Sequence, residues 1–247
     1  MITKKLTLLA IGALVLVLVS AVILWQISRS RTFQFFGRLV PRVETSEKIV
    51  ALTFDDGPTP DATTQVLATL EQEHVRATFF VIGGELEQHI TEGKKIVAAG
   101  HELGNHTYSH ERMLLVSPSF VRAEIERTDQ LIRDTGYQGE IYFRPPYAKK
   151  LFALPYYLSK TGRTSITWDV EPDSFPEIAA SSDKISQYVL ATTRPGSIII
   201  LHVMYPSRIE TLKAVPKIIE GLKAEGYSFK TVAELLAAKS GSSPVAR

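Results

Sequence analysis

Cysteine is absent from the 247-residue sequence. Its absence excludes disulfides and thiolate metal ligands, and it leaves the redox compartment undecided. Glycine-rich nucleotide signatures are also missing, because neither G-x-G-x-x-G nor a Walker-type loop occurs, so no nucleotide-phosphate site is predicted. The sequence shows no internal repeat. Its composition, 45% hydrophobic and 22% charged, is that of a globular chain with one sizeable core.

A strong charge of either sign is also lacking, since the formal net charge is +2. This small total is unevenly divided, because the first 45 residues carry +5 and the remainder carries −3. The basic excess therefore flanks the N-terminal segment. The rest of the chain gives no electrostatic reason to expect a nucleic acid partner.

One long uncharged run, Leu6 to Ile27, lies near the N-terminus. At about 1.5 Å per residue, a helix of this length crosses a hydrocarbon core of roughly 30 Å. The run is longer than the apolar region of a secretory signal peptide, and no convincing cleavage site follows Trp25. We therefore predict that residues 1–27 form an uncleaved membrane anchor, with a cleaved signal as the alternative.

We assign residues 28–46 to a juxtamembrane linker. Basic residues flank the anchor on both sides, and by simple count the positive-inside rule would leave the C-terminal part in the cytoplasm. Large C-terminal domains often translocate regardless of such charges, so these charges do not fix the orientation. Three aromatic residues of the linker are expected either to lie at the membrane interface or to pack on the domain: Phe33, Phe35 and Phe36.

From residue 47 onwards, short β-type runs alternate with stretches of helical spacing. Strands are predicted at 49–54, 77–82, 101–105, 141–144, 164–168, 197–201 and 227–231, and helices at 60–73, 86–99, 118–135, 214–224 and 232–238. This alternation predicts an α/β fold with a mostly parallel sheet and crossover helices. With about seven strands, a closed or nearly closed barrel is favoured over an open doubly wound sheet. The domain is predicted to span 47–239, with a disordered tail at 240–247.

Two adjacent carboxylates end the first of these strands, where the apolar run 49–54 is followed by Asp55, Asp56 and a Gly-Pro break. Successive strand residues point to opposite faces, so the two acids do not both continue the strand pattern. The C-terminal ends of strands are where α/β folds usually build their sites. Taken alone, the same residues are equally well explained as a solvated turn.

Three of the six histidines fall within the ten residues from 101 to 110. His106 and His110 are four residues apart, so a helical turn would place both rings on one face. Two imidazoles and one carboxylate are a common catalytic arrangement for a divalent transition metal. A lone histidine pair is a weak signal, and the acidic strand end at Asp55 and Asp56 strengthens it.

Three further segments place polar side chains after predicted strands. Arg144 and Tyr147 flank two prolines that stiffen the backbone, and taken alone this segment is better explained as a rigid loop. Glu171 and Asp173 belong to an acidic stretch after the strand 164–168. His202 ends a continuous apolar strand, a position that favours a catalytic role over a buried structural one.

Five motifs in this order resemble the polysaccharide deacetylase family, the NodB-homology domain of carbohydrate esterase family four. The motifs are Thr-Phe-Asp-Asp-Gly-Pro, His-Thr-x-x-His, Arg-x-Pro-Tyr, Trp-Asp-x-Glu and Ile-Leu-His, and they cover about residues 46–238. The resemblance implies a distorted (β/α) barrel with seven or eight strands. It also implies a divalent metal, usually zinc with cobalt, nickel or manganese as alternatives, held by Asp56, His106 and His110.

The same resemblance implies catalytic roles for four residues. Asp55 would be the general base and His202 the general acid, with Arg144 orienting Asp55 and the Tyr147 amide binding the oxyanion. The residue chemistry agrees, because a metal activates water, a free carboxylate accepts its proton and a histidine protonates the departing amine.

One departure from the family pattern concerns the fourth motif. The family usually places an Asp just before a Trp, whereas Phe175 stands where the Trp is expected. The change keeps an aromatic wall but loses the indole N–H, which puts the shape of the substrate pocket in doubt. Either Glu171 or Asp173 is left to pair with Arg144 or His202.

These observations predict a membrane-anchored, metal-dependent hydrolase that removes N-acetyl groups from an amino-sugar glycan and releases acetate. Its catalytic domain is predicted to be extracytoplasmic, in the cell envelope. The glycan stays open among chitooligosaccharide, peptidoglycan and exopolysaccharide. The alternatives are an acyl-ester or cyclic-amide hydrolase on the same barrel, and a non-catalytic glycan-binding module. The module is disfavoured because the base and all three metal ligands are present.

Overall fold

The computed structural model describes residues 2–240, so the predicted tail 240–247 lies outside the described residues except for Ser240. The chain begins with one long helix, α1 (Ile2–Ser28). An 18-residue window within its segment Lys4–Ser28 has a mean hydropathy of 2.9, and none of the window is buried. By length and composition, this helix is able to cross a membrane. The predicted apolar helix is thus confirmed, and its function as an anchor stays a prediction.

Strands and helices then alternate along the chain. The strands are β1 (Leu39–Val40), β2 (Ile49–Asp55), β3 (Thr78–Val81), β4 (Glu102–Asn105), β5 (Ser165–Ile166), β6 (Ile198–His202) and β7 (Ser228–Lys230). The helices are α2 (Pro60–Gln72), α3 (Gly83–Gln88), α4 (Ile90–Ala98), α5 (Pro118–Asp134), α6 (Ala153–Lys160), α7 (Pro176–Ala179), α8 (Ser182–Thr192), α9 (Ile209–Ala224) and α10 (Val232–Ser240). Short 3₁₀ turns occupy Pro146–Ala148 and Pro206–Arg208.

β2 is the central strand of a parallel sheet in the order β4-β3-β2-β6, and β7 pairs with the first half of β2. β1 and β5 form a separate parallel pair. Isolated bridges link the two groups, because Phe143 pairs with both Asn105 and Ser165, and Val170 pairs with Ile199. The pairings therefore run in a ring from β6 through β2, β3 and β4 to the β5 segment and back to β6. This is the α/β arrangement predicted for a distorted barrel, with single bridges on the β5 side.

All seven residues of β2 are buried, as expected for a strand covered on both faces. Alternate residues enter two different core clusters. Val50, Leu52 and Phe54 pack into the larger one, while Ile49 and Ala51 belong to a second. A continuous apolar run therefore marks this strand in the sequence, rather than a period of two.

Two predicted elements are wrong. The strand at 141–144 is reduced to the bridges of Phe143, because Pro145 and Pro146 follow and have no N–H to continue a ladder. The helix at 86–99 is divided into α3 and α4 at His89, whose φ of −126° and ψ of 44° are not helical. The break lets α4 fold back until Gly93 lies against Leu86, where a Cβ would come within 2.4 Å of a leucine methyl carbon.

Part of the predicted linker 28–46 is packed on the folded domain. β1 lies within this segment, and Val40 and Val43 are buried. The backbone N–H of Val43 donates to the carbonyl of Gly196 at 2.9 Å. Ser28, at the end of α1, is 2% exposed, and its carbonyl accepts from the backbone N–H of Lys150. The domain therefore contacts the chain from the last turn of α1 onwards.

Candidate active site

The C-terminal ends of β2 and β6 bring two of the predicted site residues together. Asp55 is the last residue of β2, His202 is the last residue of β6, and the two are paired in the parallel register. Asp56 follows with a left-handed φ of 73°, so the backbone leaves the strand direction between the two acids. Asp55 and Asp56 can therefore serve different purposes despite being adjacent.

Asp56, His106 and His110 form a cluster whose nearest ligand atoms all lie within 4.8 Å of one another. The Nε2 atom of His110 is 3.4 Å from Oδ1 of Asp56, and Nε2 of His106 is 3.9 Å from the same oxygen. This Oδ1 is buried and has no hydrogen-bond donor within the described part of the chain. A buried carboxylate oxygen without a partner is costly, and a cation would satisfy it. The three side chains therefore fit a divalent metal.

Burial shifts the pKa of all three groups towards the neutral form. It raises the pKa of Asp56 to about 6, with the charge of His202 acting in the opposite direction. It lowers the pKa of His106 to about 3 and that of His110 to about 4. Both imidazoles are therefore neutral at physiological pH, and their lone pairs are available to a metal.

The tautomer of His106 is fixed by the backbone. Its Nδ1 lies 2.8 Å from the carbonyl oxygen of Arg144, an acceptor, so Nδ1 carries the proton and donates. The lone pair is thereby left on Nε2, which lies 3.5 Å from Oδ2 of Asp55 and 3.9 Å from Oδ1 of Asp56. Metal-ligating histidines are commonly held in this way by a carbonyl or carboxylate at the second ring nitrogen.

The helical turn predicted for the histidine pair is wrong, because residues 106–110 form a loop. Thr107 and His110 have left-handed φ values of 68° and 58°. Asn105 accepts a hydrogen bond from the Thr107 N–H through its side chain at 2.8 Å, and the Thr107 hydroxyl accepts from the His110 N–H at 3.1 Å. Such local side-chain bonds compete with helix formation. The two rings nevertheless meet, with their centroids 4.9 Å apart.

Glu124 of α5 supports this loop, and sequence reasoning did not identify it. Its buried Oε2 accepts from the backbone N–H groups of Tyr108 and Ser109 at 3.0 and 2.8 Å. We expect Glu124→Ala to lower the free energy of unfolding by about 2–3 kcal/mol, because both N–H groups lose their acceptor. Zinc affinity should fall with it, because His110 follows Ser109 directly.

Thermal unfolding and calorimetric zinc titration measure both effects. Glu124→Gln keeps one acceptor oxygen and is the matched control. An alanine variant with the stability and zinc affinity of the parent chain would contradict the assignment.

Arg144 is fully buried and binds Asp55. Its Nη1 donates to Oδ1 of Asp55 at 2.5 Å and to the hydroxyl of Thr53 at 2.8 Å. The remaining donors reach the carbonyls of Ile166 and Thr167 at 3.3 Å. Burial lowers the pKa of Arg144, and the charge of Asp55 opposes that shift. The second oxygen of Asp55, Oδ2, stays on the side of the metal cluster, 3.5 Å from Nε2 of His106.

Asp173 is the carboxylate that pairs with His202, which answers the question left open by the fourth motif. It accepts from the His202 backbone N–H at 2.9 Å and from Nδ1 at 3.1 Å. Burial alone would lower the pKa of His202, but the hydrogen bond and charge of Asp173 raise it to about 9. Glu171 is bonded instead to Arg31, at 3.2 Å.

Tyr147 and Phe175 line the same cavity as these residues, which has a volume of about 990 Å³. Tyr147 has a left-handed backbone, with a φ of 55°, and its ring centroid lies 4.7 Å from that of His110. The predicted hydrogen bond from its amide to an oxyanion stays a prediction. Among the lining residues that no motif indicated are Trp25, in the last turns of α1, and Arg29, directly after it.

Fold and site together define a class, an α/β protein with a carboxylate–imidazole cluster at the C-terminal ends of parallel strands. The polysaccharide deacetylase family model matches residues 42–166. A peptidoglycan-N-acetylglucosamine deacetylase of Bacillus cereus is 33% identical, over 81% of this chain and 93% of its own length. A bifunctional xylanase/deacetylase of Pseudobutyrivibrio xylanivorans is 37% identical over 78% of this chain, which spans only 31% of that longer protein.

The crystal structure of a peptidoglycan N-acetylglucosamine deacetylase superimposes with a TM-score of 0.74 at 31% identity, covering 79% of this chain and 91% of the other. The chain belongs to the polysaccharide deacetylase family. The predicted family and fold class are thereby confirmed, and the relatives described here are named as deacetylases.

Proposed function

We propose that this protein is a metal-dependent hydrolase that removes the acetyl group from an N-acetylated amino sugar of a glycan and releases acetate. The observation that carries the proposal is the convergence of Asp56, His106 and His110 around an unpartnered carboxylate oxygen. A second carboxylate and a protonated histidine lie beside this cluster. Deacetylase relatives that act on peptidoglycan by name support the substrate class.

Asp56, His106 and His110 would hold the cation, for which zinc suits two imidazoles and a carboxylate. When bound, such an ion lowers the pKa of water towards about 7 and polarises an amide carbonyl. Asp55 accepts the proton of the attacking water through Oδ2, while Arg144 holds Oδ1 in place.

His202 supplies the proton that the leaving group needs. Asp173 binds its Nδ1, so Nε2–H points away from Asp173 into the cavity. As the amide C–N bond breaks, this proton passes to the sugar nitrogen, which leaves as an amine, and the acetyl carbon keeps the oxygen of water as acetate. The Tyr147 N–H is proposed to donate to the carbonyl oxygen as negative charge develops on it.

We further propose that α1 anchors the domain and that the domain acts outside the cytoplasm, in the cell envelope. The apolar length of α1 supports an anchor, and relatives named for peptidoglycan support the compartment. An accessible cysteine introduced at Ser109, labelled in intact cells by a membrane-impermeant maleimide, tests the orientation. Labelling only after lysis would place the domain inside.

Substrate and metal are tested together with the purified full chain. We expect mass spectrometry to show loss of acetyl from N-acetylated chitooligosaccharides or peptidoglycan fragments. Release of acetate from O-acetyl xylan would instead indicate an ester hydrolase. Chelation should abolish turnover and zinc should restore it. Turnover that survives chelation would contradict the proposed metal dependence. If none of these substrates released acetate, the proposed enzymatic function would be contradicted.

His106→Gln provides the matching genetic test, with exposed His74→Gln as its control. Zinc affinity should fall by more than the roughly 10- to 100-fold typical of a lost outer-shell partner, because a ligand itself is removed. Calorimetric zinc titration measures this loss. Equal zinc affinity in the two variants would exclude His106 as a ligand.

A further inference from the structure

Four cationic side chains line the cavity without a carboxylate partner. One of them, Arg208, donates to the backbone carbonyl of Asp173, and the other three are Arg29, Arg112 and Lys149. We call these three the cationic cluster. None of them forms an ion pair with any carboxylate in residues 4–238. Arg31, by contrast, lines the same cavity and is paired with Glu171.

The members of the cationic cluster are close enough to repel one another. Burial lowers the pKa of Lys149, and the charges of Arg29 and Arg112 lower it further. Lys149 Nζ lies 4.0 Å from the ring centroid of Trp25, in the last turns of α1. Neighbouring like charges disfavour one another, so a bound anion would stabilise this arrangement.

One aromatic ring, that of Tyr147, separates the cationic cluster from Asp56, His106 and His110, which we call the metal cluster. The Tyr147 ring centroid lies 4.7 Å from the ring centroid of His110 and 5.0 Å from the guanidinium carbon of Arg112. An anion held by the cluster would therefore sit beside the group whose amide is hydrolysed, within the same cavity. The anion would belong to the substrate itself.

The cationic cluster is also at the end of the apolar helix. The backbone N–H of Lys150 donates to Ser28, and its Nζ donates to the carbonyl of Ser30 at 2.5 Å. Lys150 is 1% exposed, so these bonds fix the end of α1 to the cavity wall. If α1 spans a bilayer, the cationic cluster lies at the level of the lipid phosphates.

An exposed aromatic patch is formed by residues that follow α1 and Lys150 in the sequence. Its members are Phe33, Phe36, Phe152 and Tyr156. These side chains are 42–51% exposed, although Phe36 packs edge-on against Tyr156. Aromatic rings are enriched where a protein meets the membrane interface. Packing on the domain, one of the two outcomes predicted for the linker aromatics, is observed. A location at the membrane interface stays a prediction.

We propose that the substrate is an amphiphile, an N-acetylated amino sugar joined through a phosphate ester to a lipid chain. The cationic cluster binds the phosphate, while the sugar amide reaches the metal cluster. This inference rests on the proposed deacetylase function and on α1 as an anchor. Phosphate is favoured because three unpaired cations line one cavity beside the end of α1, where lipid-linked phosphates lie if α1 spans a bilayer.

The test uses the full chain in phosphatidylcholine nanodiscs and two matched probes. One is N-acetylglucosamine 1-phosphate esterified to farnesol, and the other is the uncharged farnesyl N-acetylglucosaminide. We expect kcat/KM to be at least about tenfold higher for the phosphate probe, since one charge-assisted contact typically contributes that much. The preference should decline as salt is raised.

Variants then assign the preference to the cationic cluster. Arg112→Gln and Lys149→Gln should each lower the phosphate-to-neutral ratio by about tenfold, mainly through KM. Arg122→Gln and Lys94→Gln remove exposed cations that do not line the cavity and should leave the ratio unchanged. Thermal unfolding verifies that each variant is folded.

The outcomes separate this inference from the proposed function. Equal rates on both probes, with acetate released from each, would overturn the phosphate site and leave the deacetylase standing. No acetate from either probe or from chitooligosaccharides would instead overturn the function. If the variants alter both probes equally, and only in phosphatidylglycerol nanodiscs, the cationic cluster binds lipid headgroups and the proposal fails.

Discussion

Asp55→Asn is expected to lower kcat for acetyl release by about 10²–10⁴-fold, the usual contribution of a general base. The variant keeps the shape of the side chain but loses the charge that accepts a proton from water. Arg144 can still donate to the asparagine Oδ1, and its bonds to Thr53 and two carbonyls are unaffected. The structure therefore predicts a folded and inactive protein.

The charge of Arg144 makes this variant more than a test of catalysis. Removing one partner of a buried ion pair typically destabilises a protein by roughly 3–5 kcal/mol, and the retained hydrogen bond should keep the loss below that range. Thermal unfolding of Asp55→Asn measures it directly. Zinc affinity should stay within a few-fold of the parent value, because Asp55 is proposed as the base and not as a ligand.

Asp61→Asn, at the exposed start of α2, is the matched control for the loss of one carboxylate. It should retain full activity. The general-base assignment would fail if Asp55→Asn released acetate at the parent rate. It would also fail if the variant lost zinc and activity in parallel, because Asp55 would then be acting as a ligand.

The sheet was predictable because its signal is local. β2 and β6 are continuous apolar runs that end in an acid and in a histidine, and both ends carry the predicted site residues. Parallel pairing places such ends at one edge of a sheet, so the meeting of Asp55 and His202 follows from fold class alone. No comparable rule predicts, from sequence spacing, where the loop residues that contact Asp55 and His202 will lie.

His106 and His110 lie close together as the sequence predicted, but they do so in a loop and not on a helical turn. A separation of four residues predicted a helical turn, yet the loop brings His106 and His110 together through left-handed residues. Its conformation depends on Asn105 and on Glu124, fourteen residues beyond His110. A contact between a loop and a distant helix leaves no periodic signal in the sequence.

The choice between Glu171 and Asp173 was open for a similar reason. Both acids follow the same strand and are two residues apart, so spacing does not distinguish them. The decision is made by β6, whose His202 presents its backbone N–H and its Nδ1 to Asp173 together. Glu171 forms an ion pair with Arg31 instead. Arg31 belongs to the segment that sequence analysis assigned to a linker.

The pairing of Asp173 with His202 predicts a large shift in the pH profile. A general acid must be protonated, and His202, with a pKa of about 9, stays protonated through the neutral range. We expect kcat/KM of the parent chain to decline as pH rises through about 9. Asp173→Asn removes the hydrogen bond and the charge that contribute most to raising this pKa. Burial continues to lower it while Asp55 and Asp56 continue to raise it, so the decline should begin below pH 9 and move towards the ordinary value of about 6.5.

At pH 8 the expected loss in Asp173→Asn is up to roughly thirtyfold, the value for a pKa that returns fully to about 6.5, where a histidine is only a few per cent protonated at this pH. Glu171→Gln is the matched control, since Glu171 is bonded to Arg31 and not to His202. Its profile should keep the decline near pH 9.

Stability supplies a second readout with a definite sign. The pKa of His202 is raised by folding, so the pair stabilises the native state fully below about pH 6.5, and that contribution disappears as pH rises through about 9. Asp173→Asn should therefore lower the unfolding temperature more at pH 6 than at pH 10. An alkaline limb that moves in Glu171→Gln and stays in place in Asp173→Asn would show that Asp173 does not set the pKa of the acid. The raised pKa of His202 would then have to come from its other acidic neighbours, Asp55 and Asp56.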